Sequence, residues 1–241
     1  MATMQNRKVA LVGVSLGLGA SLAHALSGEG ASVFISSRNE GKINDIARTM
    51  KQAGNITAIP GDVATSEGSL ELATKIKEKA GKLDGLCILV GGYEADSITN
   101  PHALDTMLNN NVKAVIYAVS AFIDMMGKNS SIVLVSNAAS LDHGSSASMS
   151  YSIAKGAVIR IADLLCAQLI PRSIRVNVVA PSFIDGNFIL GRDYLSLRKI
   201  GEFRVPPEGI SDVIVFLLSD RSSWVNGAVI PVDGGHRFIK V

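Results

Sequence analysis

Apolar residues along this chain fall into short dense runs, separated by longer stretches in which they recur every three or four positions. The runs are 8–13 (KVALVG), 31–36 (ASVFIS), 56–60 (ITAIP), 85–91 (GLCILVG), 131–136 (SIVLVS), 174–180 (IRVNVVA) and 228–232 (AVIPV). They are rich in β-branched residues and lack clean apolar/polar alternation, which is how strands covered on both faces read. The intervening stretches 17–28, 40–53, 67–81, 103–127, 151–170 and 208–219 carry helical periodicity. Strand–helix alternation with connections of this length predicts right-handed βαβ units. The expected fold is therefore α/β: a Rossmann-type doubly wound parallel sheet of about seven strands with helices on both faces. No linker or fixed-period repeat interrupts residues 1–241, which read as one domain.

Composition narrows the classes. Of the 241 residues 47% are hydrophobic, enough for a two-sided sheet. The 23 basic and 21 acidic residues nearly balance, which argues against a nucleic-acid partner, since that needs a concentrated basic face. Arg7, Lys8 and the apolar run after them superficially resemble a secretory leader. That run, however, carries Gly13, Gly17 and Gly19, and cleavage would delete the first strand. No run reaches the length of about 20 apolar residues that a membrane span needs. Cys87 and Cys166 sit in apolar contexts without metal-like or CxxC spacing, as buried reduced thiols do, and a cytoplasmic protein is expected. The four histidines are scattered, with only His143 near the expected pocket mouth, and no metal is expected.

Ligands of such sheets bind beyond the carboxyl ends of the strands. After the first strand comes Gly13-Val14-Ser15-Leu16-Gly17-Leu18-Gly19, opening a helix. Glycines let the backbone turn tightly and approach a pyrophosphate, while the helix start supplies amide donors. After the second strand stand Ser37 and Arg38, where an NAD site wants a carboxylate. A guanidinium matches a 2′-phosphate instead, so NADP(H) is expected over NAD(H); a solvated arginine is the plain alternative. Tyr151 and Lys155 are spaced i and i+4, one above the other on a helix. A phenol, with a pKa of about 10, is a poor acid/base at neutrality unless a nearby cation lowers it.

Taken together, the glycine turn, the Tyr151/Lys155 pair, IRVNVVAPSFI (174–184) and WVNGAVIPVDGG (224–235) resemble the short-chain dehydrogenase/reductase family over nearly the whole chain. The resemblance implies that Tyr151 is the general acid/base and that Lys155 binds the nicotinamide ribose and tunes the tyrosine. It implies that Asn111 supports a proton-relay water and that Asp62-Val63 meets the adenine. Gly91 and Gly92 then border the cofactor, and Ile184, after Pro181, meets the carboxamide through its backbone. Helix-capping is the alternative for Asp62, and local contacts for Asn111.

Three departures stand out. Asn137 occupies the place of the family's substrate-binding serine, and its NH₂ can donate to a developing alkoxide. Ser136 and Ser140 are near, but strand alternation turns Ser136 away. The family's NNAG is replaced by Ile88-Leu89-Val90-Gly91, followed by Gly92-Tyr93, and Gly186 stands where a threonine often touches the cofactor, leaving Asp185 or Asn187 to substitute. Tyr93, Leu141, Phe183, Phe188 and Tyr194 are the expected pocket walls, with 185–206 as the substrate lid. The resulting expectation is hydride transfer between a nicotinamide and a small ketone, aldehyde or secondary alcohol, in a homotetramer or dimer. A catalytically impaired, dinucleotide-binding sensor or scaffold is the alternative.

Overall fold

The computed structural model describes residues 3–50, 55–141 and 146–239. The strands are β1 (Lys8–Val12), β2 (Ser32–Ser36), β3 (Ile56–Ala58), β4 (Leu83–Ile88), β5 (Met126–Val135), β6 (Arg175–Pro181), β7 (Phe183–Ile184), β8 (Arg204–Val205) and β9 (Val229–Val232). Seven of them form a parallel sheet in the order β3-β2-β1-β4-β5-β6-β9. The sequence of directions reverses at β1, which has β2 on one side and β4 on the other, so a switch point opens beyond Val12. In register, Val12 lies opposite both Ser36 and Ile88, and Ile88 opposite Leu134. The loops that leave these strands therefore emerge along one edge.

Alternate residues of each strand feed different cores, which is why the runs read as continuously apolar. Ala10, Val12, Leu86, Ile88, Ile132 and Leu134 point into one core. That core is closed by α3 (Ser66–Ala80), α5 (Ala114–Phe122) and α6 (Met149–Leu169). Val9, Leu11, Val33, Ile35, Cys87 and Val133 point the other way, onto α1 (Leu18–Gly28), α2 (Glu40–Thr49) and α7 (Pro207–Leu218).

Two stretches differ from the periodicity. The helix expected over 103–127 divides into α4 (Leu104–Leu108), a π-helical turn at Asn109–Lys113 and α5, and ends with Met125. Strand β5 then starts at Met126 rather than 131, with a register shift against β4 and Asn129 at a left-handed φ of 68°. The short parallel pair β7–β8 carries no sequence mark, because two residues are too few to show a period.

Candidate active site

The carboxyl edge of the sheet holds a cleft of about 650 Å³. Gly13, Ser15, Gly17 and Leu18 line it on one side, Ser37, Arg38, Asp62 and Val63 on another, and Gly91 and Ile184 at its inner end. The glycine turn is built for close approach. At Gly13, φ is 91° and a Cβ would stand 2.6 Å from the Val90 nitrogen. At Gly17 it would stand 2.9 Å from the Gly186 carbonyl oxygen, where the segment after β7 crosses the turn. Gly17 is also the N-cap of α1 and offers no side chain to it; Ala20 N donates to Ser15 O at 2.9 Å, which leaves the Leu18 and Gly19 amides to an anion. Gly19, Gly92 and Pro181, also expected at the cofactor, do not line this cleft. Gly19 packs on Val14, Pro181 is buried in β6 opposite Val232, and Gly92 exchanges hydrogen bonds with the Asn111 amide, each 3.3 Å long.

Beyond β2, the Ser37 hydroxyl is held by the Asn39 backbone. Asn39 in turn caps α2, its Oδ1 accepting from the Lys42 amide at 2.9 Å. This cap places Lys42 on the cleft wall beside Arg38, and neither makes an ion pair among the described residues. The sequence reading missed Lys42, although a capping asparagine three residues ahead of it was the available signal. Asp62 is not a helix cap: its carboxylate accepts from Ala64 N, and Thr65 caps α3. Ile184 turns its own amide away from β8, because Phe183 N and Asp185 N both donate toward that strand.

Past Gly91 lies the Tyr151 group, outside the cleft proper. A Cβ on Gly91 would come within 2.6 Å of Asn111 Oδ1 and 3.0 Å of Lys155 Nζ, so only glycine lets the cleft reach both. Asn111 is fully buried in the π-helical turn and donates to Met107 O and Gly92 O. Such turns insert one residue and re-aim a side chain, a frequent device at functional sites. Lys155 is buried, donates to Val135 O at 3.2 Å, and lies 5.9 Å from the centre of the Tyr151 ring. Burial pushes its pKa down to about 8.

Asn137, at the end of β5, faces Tyr151. Its Oδ1 accepts from Ala139 N at 2.9 Å, which fixes the amide and leaves the NH₂ to serve the phenol oxygen. Burial nevertheless pushes the Tyr151 pKa up to about 12, with the Asn137 hydrogen bond pulling against it and Tyr93 adding to the rise. Desolvation sets the direction for the phenol as it stands, and Lys155, 5.9 Å from the ring centre, is not among the causes. Ser136 bonds the Lys155 carbonyl at 2.7 Å and cannot stand in for Asn137. The Ser140 hydroxyl is buried with no partner among the described residues.

Of the expected walls, Tyr93 packs edge-on against Tyr151 and Phe183 lies 5.8 Å from Phe203. Phe188 and Tyr194 are corrections: Phe188 stacks on His24 of α1, and Tyr194 bonds Asp212 of α7. Asp185 pairs with Arg204, leaving Asn187 on the cleft. His143 falls outside the described residues.

Residues 13–237 match a family model described as enoyl-(acyl carrier protein) reductase. The chain is 30% identical to an uncharacterized oxidoreductase of Methylorubrum extorquens, over 98% of this chain and 100% of that one. It is 29% identical to a 3-oxoacyl-[acyl-carrier-protein] reductase of Thermotoga maritima, over 95% and 97%. Among solved structures, a short-chain dehydrogenase/reductase variant of Serratia marcescens superposes with a TM-score of 0.87 at 24% identity, over 97% and 99%.

Proposed function

The chain belongs to the short-chain dehydrogenase/reductase family, oxidoreductases of alcohol and carbonyl groups, and within it we propose an NADP(H)-dependent reductase of ketones or aldehydes with Tyr151 as general acid. One observation carries the reading: a half-buried Tyr151 stands one helical turn from the buried Lys155 and beside Asn137, whose amide is fixed by its bond from Ala139 N.

The residues present fit a dinucleotide. A Cβ would fill the cradle at Gly13 and Gly17, the first turn of α1 is open to a pyrophosphate, and Arg38 with Lys42 form a basic pair for a 2′-phosphate. Asp62 and Val63 would flank the adenine, and the Ile184 backbone and Asn187 the nicotinamide end. When bound, the nicotinamide supplies hydride to the carbonyl carbon. Tyr151 delivers its proton to the carbonyl oxygen, and a phenol with a pKa of about 12 reliably holds that proton at neutral pH. The Asn137 NH₂ donates toward the developing alkoxide in place of the family's serine. Lys155, charged, favours the phenolate left behind and has a hydrogen-bond donor for the ribose.

Replacing Tyr151 by Phe tests the acid role. Turnover of NADPH with carbonyl substrates should fall by about 10²- to 10⁴-fold while NADPH binding persists. Equal rates in wild type and variant would leave the dinucleotide-binding scaffold as the better reading. We also propose a homo-oligomer, supported by exposed Ile116 on α5 and exposed Ile153 and Leu164 on α6. Light scattering that finds only monomer at micromolar concentration contradicts it.

A further inference from the structure

The loop after β4 meets the candidate acid machinery at three successive points. Gly91 lies against Lys155 and Asn111, Tyr93 packs edge-on at 5.1 Å from the Tyr151 ring, and Asp96 reaches the start of the helix that carries both Tyr151 and Lys155. Asp96 is 7% exposed, and its carboxylate accepts from Ser150 N at 2.9 Å and from the Ser150 hydroxyl. The backbones are also joined, Asp96 N donating to Ala147 O at 3.2 Å and Met149 N to Asp96 O at 3.4 Å.

This arrangement replaces the ordinary way of starting a helix. Ser148 stands at the N-cap of α6 yet makes no side-chain cap hydrogen bond. A carboxylate 54 residues earlier in the chain serves the first turn instead. A serine hydroxyl would serve one amide. The carboxylate serves an amide and a hydroxyl together and brings a negative charge to the positive end of a 21-residue helix. Its hydrogen bonds from Ser150 hold the carboxyl below the usual range, so it is an anion at neutral pH.

We propose that Asp96 is a positioning residue for the reaction, a cap supplied from the β4 loop that fixes Ser150 and, through the next peptide, the place of Tyr151 against Asn137. The Tyr93 contact from the same loop fixes the ring's other side. The loop that borders the cleft is thereby mechanically joined to the acid, so the two halves of the site keep one spacing. This rests on the reading of Tyr151 as the acid.

The test compares Asp96→Ala, Asp96→Asn and Tyr151→Phe in the full chain, with kcat, KM for a carbonyl substrate and NADPH Kd measured for each. Misplacing an acid by about 1 Å costs up to about 100-fold. Asp96→Ala should lower kcat about 10- to 100-fold with KM and NADPH Kd changed less than about threefold. Asp96→Asn, which keeps an acceptor for the Ser150 amide, should recover part of that loss. A folded Asp96→Ala with wild-type kcat overturns the proposal, even if its stability has dropped, because a purely structural cap lowers stability alone. If Asp96→Ala does not fold, Asp96→Asn decides: a lowered kcat at unchanged KM supports the proposal, and a wild-type kcat overturns it. A fully active Tyr151→Phe instead removes the acid reading on which it stands.

Discussion

At the scale of single residues, burial decides the chemistry. Lys155 and Tyr151 are both desolvated, and burial disfavours the charged form of each, pushing the lysine down to about 8 and the tyrosine up to about 12. The phenol is thereby kept as a proton donor, while the lysine is charged only below about 8. Reductase kcat/KM should therefore fall as pH rises through about 8; a profile flat from pH 7 to 9 would contradict this. Stability moves the opposite way. The native lysine value lies below its ordinary 10.5, so the folded chain holds fewer protons between the two values. The cost of burying this charge is full below about pH 8 and fades toward 10.5. Urea stability of wild type, measured against Lys155→Met, should rise across that window, and a constant difference would refute the assignment. The proposed preference for NADP(H) rests on Arg38 and Lys42. Arg38→Asp should shift the NADPH-to-NADH preference toward NADH by about 10-fold or more, since a charge-assisted phosphate contact of about 1.5–3 kcal/mol becomes a repulsion. An unchanged ratio removes Arg38 from the account. That Tyr151, Lys155 and Asn137 lie together was legible, because an i,i+4 pair on a helix and a place just past a strand end are sequence properties. Lys42 was not, because its place depends on how Asn39 turns the chain into α2.

Among elements, the segment 185–206 and the divided helix carry the information that periodicity lacks. All seven sheet strands were readable because both faces are covered, but the π-helical turn around Asn111 leaves a nearly helical pattern and no mark of its own. The contacts of segment 185–206 are long-range in the same sense. Arg192 holds Glu208 at the start of α7 through two hydrogen bonds of 3.1 and 2.5 Å, and Tyr194 bonds Asp212 one turn on. Side-chain exposures of 19% and 9% make the ion pair largely dry. Arg192→Ala leaves the Glu208 carboxylate without its partner and should cost about 2 kcal/mol, below the range of fully buried pairs because some water reaches it. It should also raise the substrate KM by loosening 185–206. Urea unfolding and steady-state kinetics check both, and an unaltered midpoint would mean that the pair is worth nothing.

For the molecule as a whole, the sheet brings four strand ends level, so groups distant in sequence meet at one edge. Two cores of different helices hold that edge from both sides, and the cleft and the Tyr151 group meet at Gly91. The central claim is that this edge is a working reductase in which Asn137 has taken the serine's place. The most direct measurement is NADPH consumption over a panel of small ketones and aldehydes, by wild type and Tyr151→Phe, with NADPH binding by both followed through its fluorescence. The account predicts binding by both proteins and turnover only by wild type. Binding by both with equal consumption would contradict it.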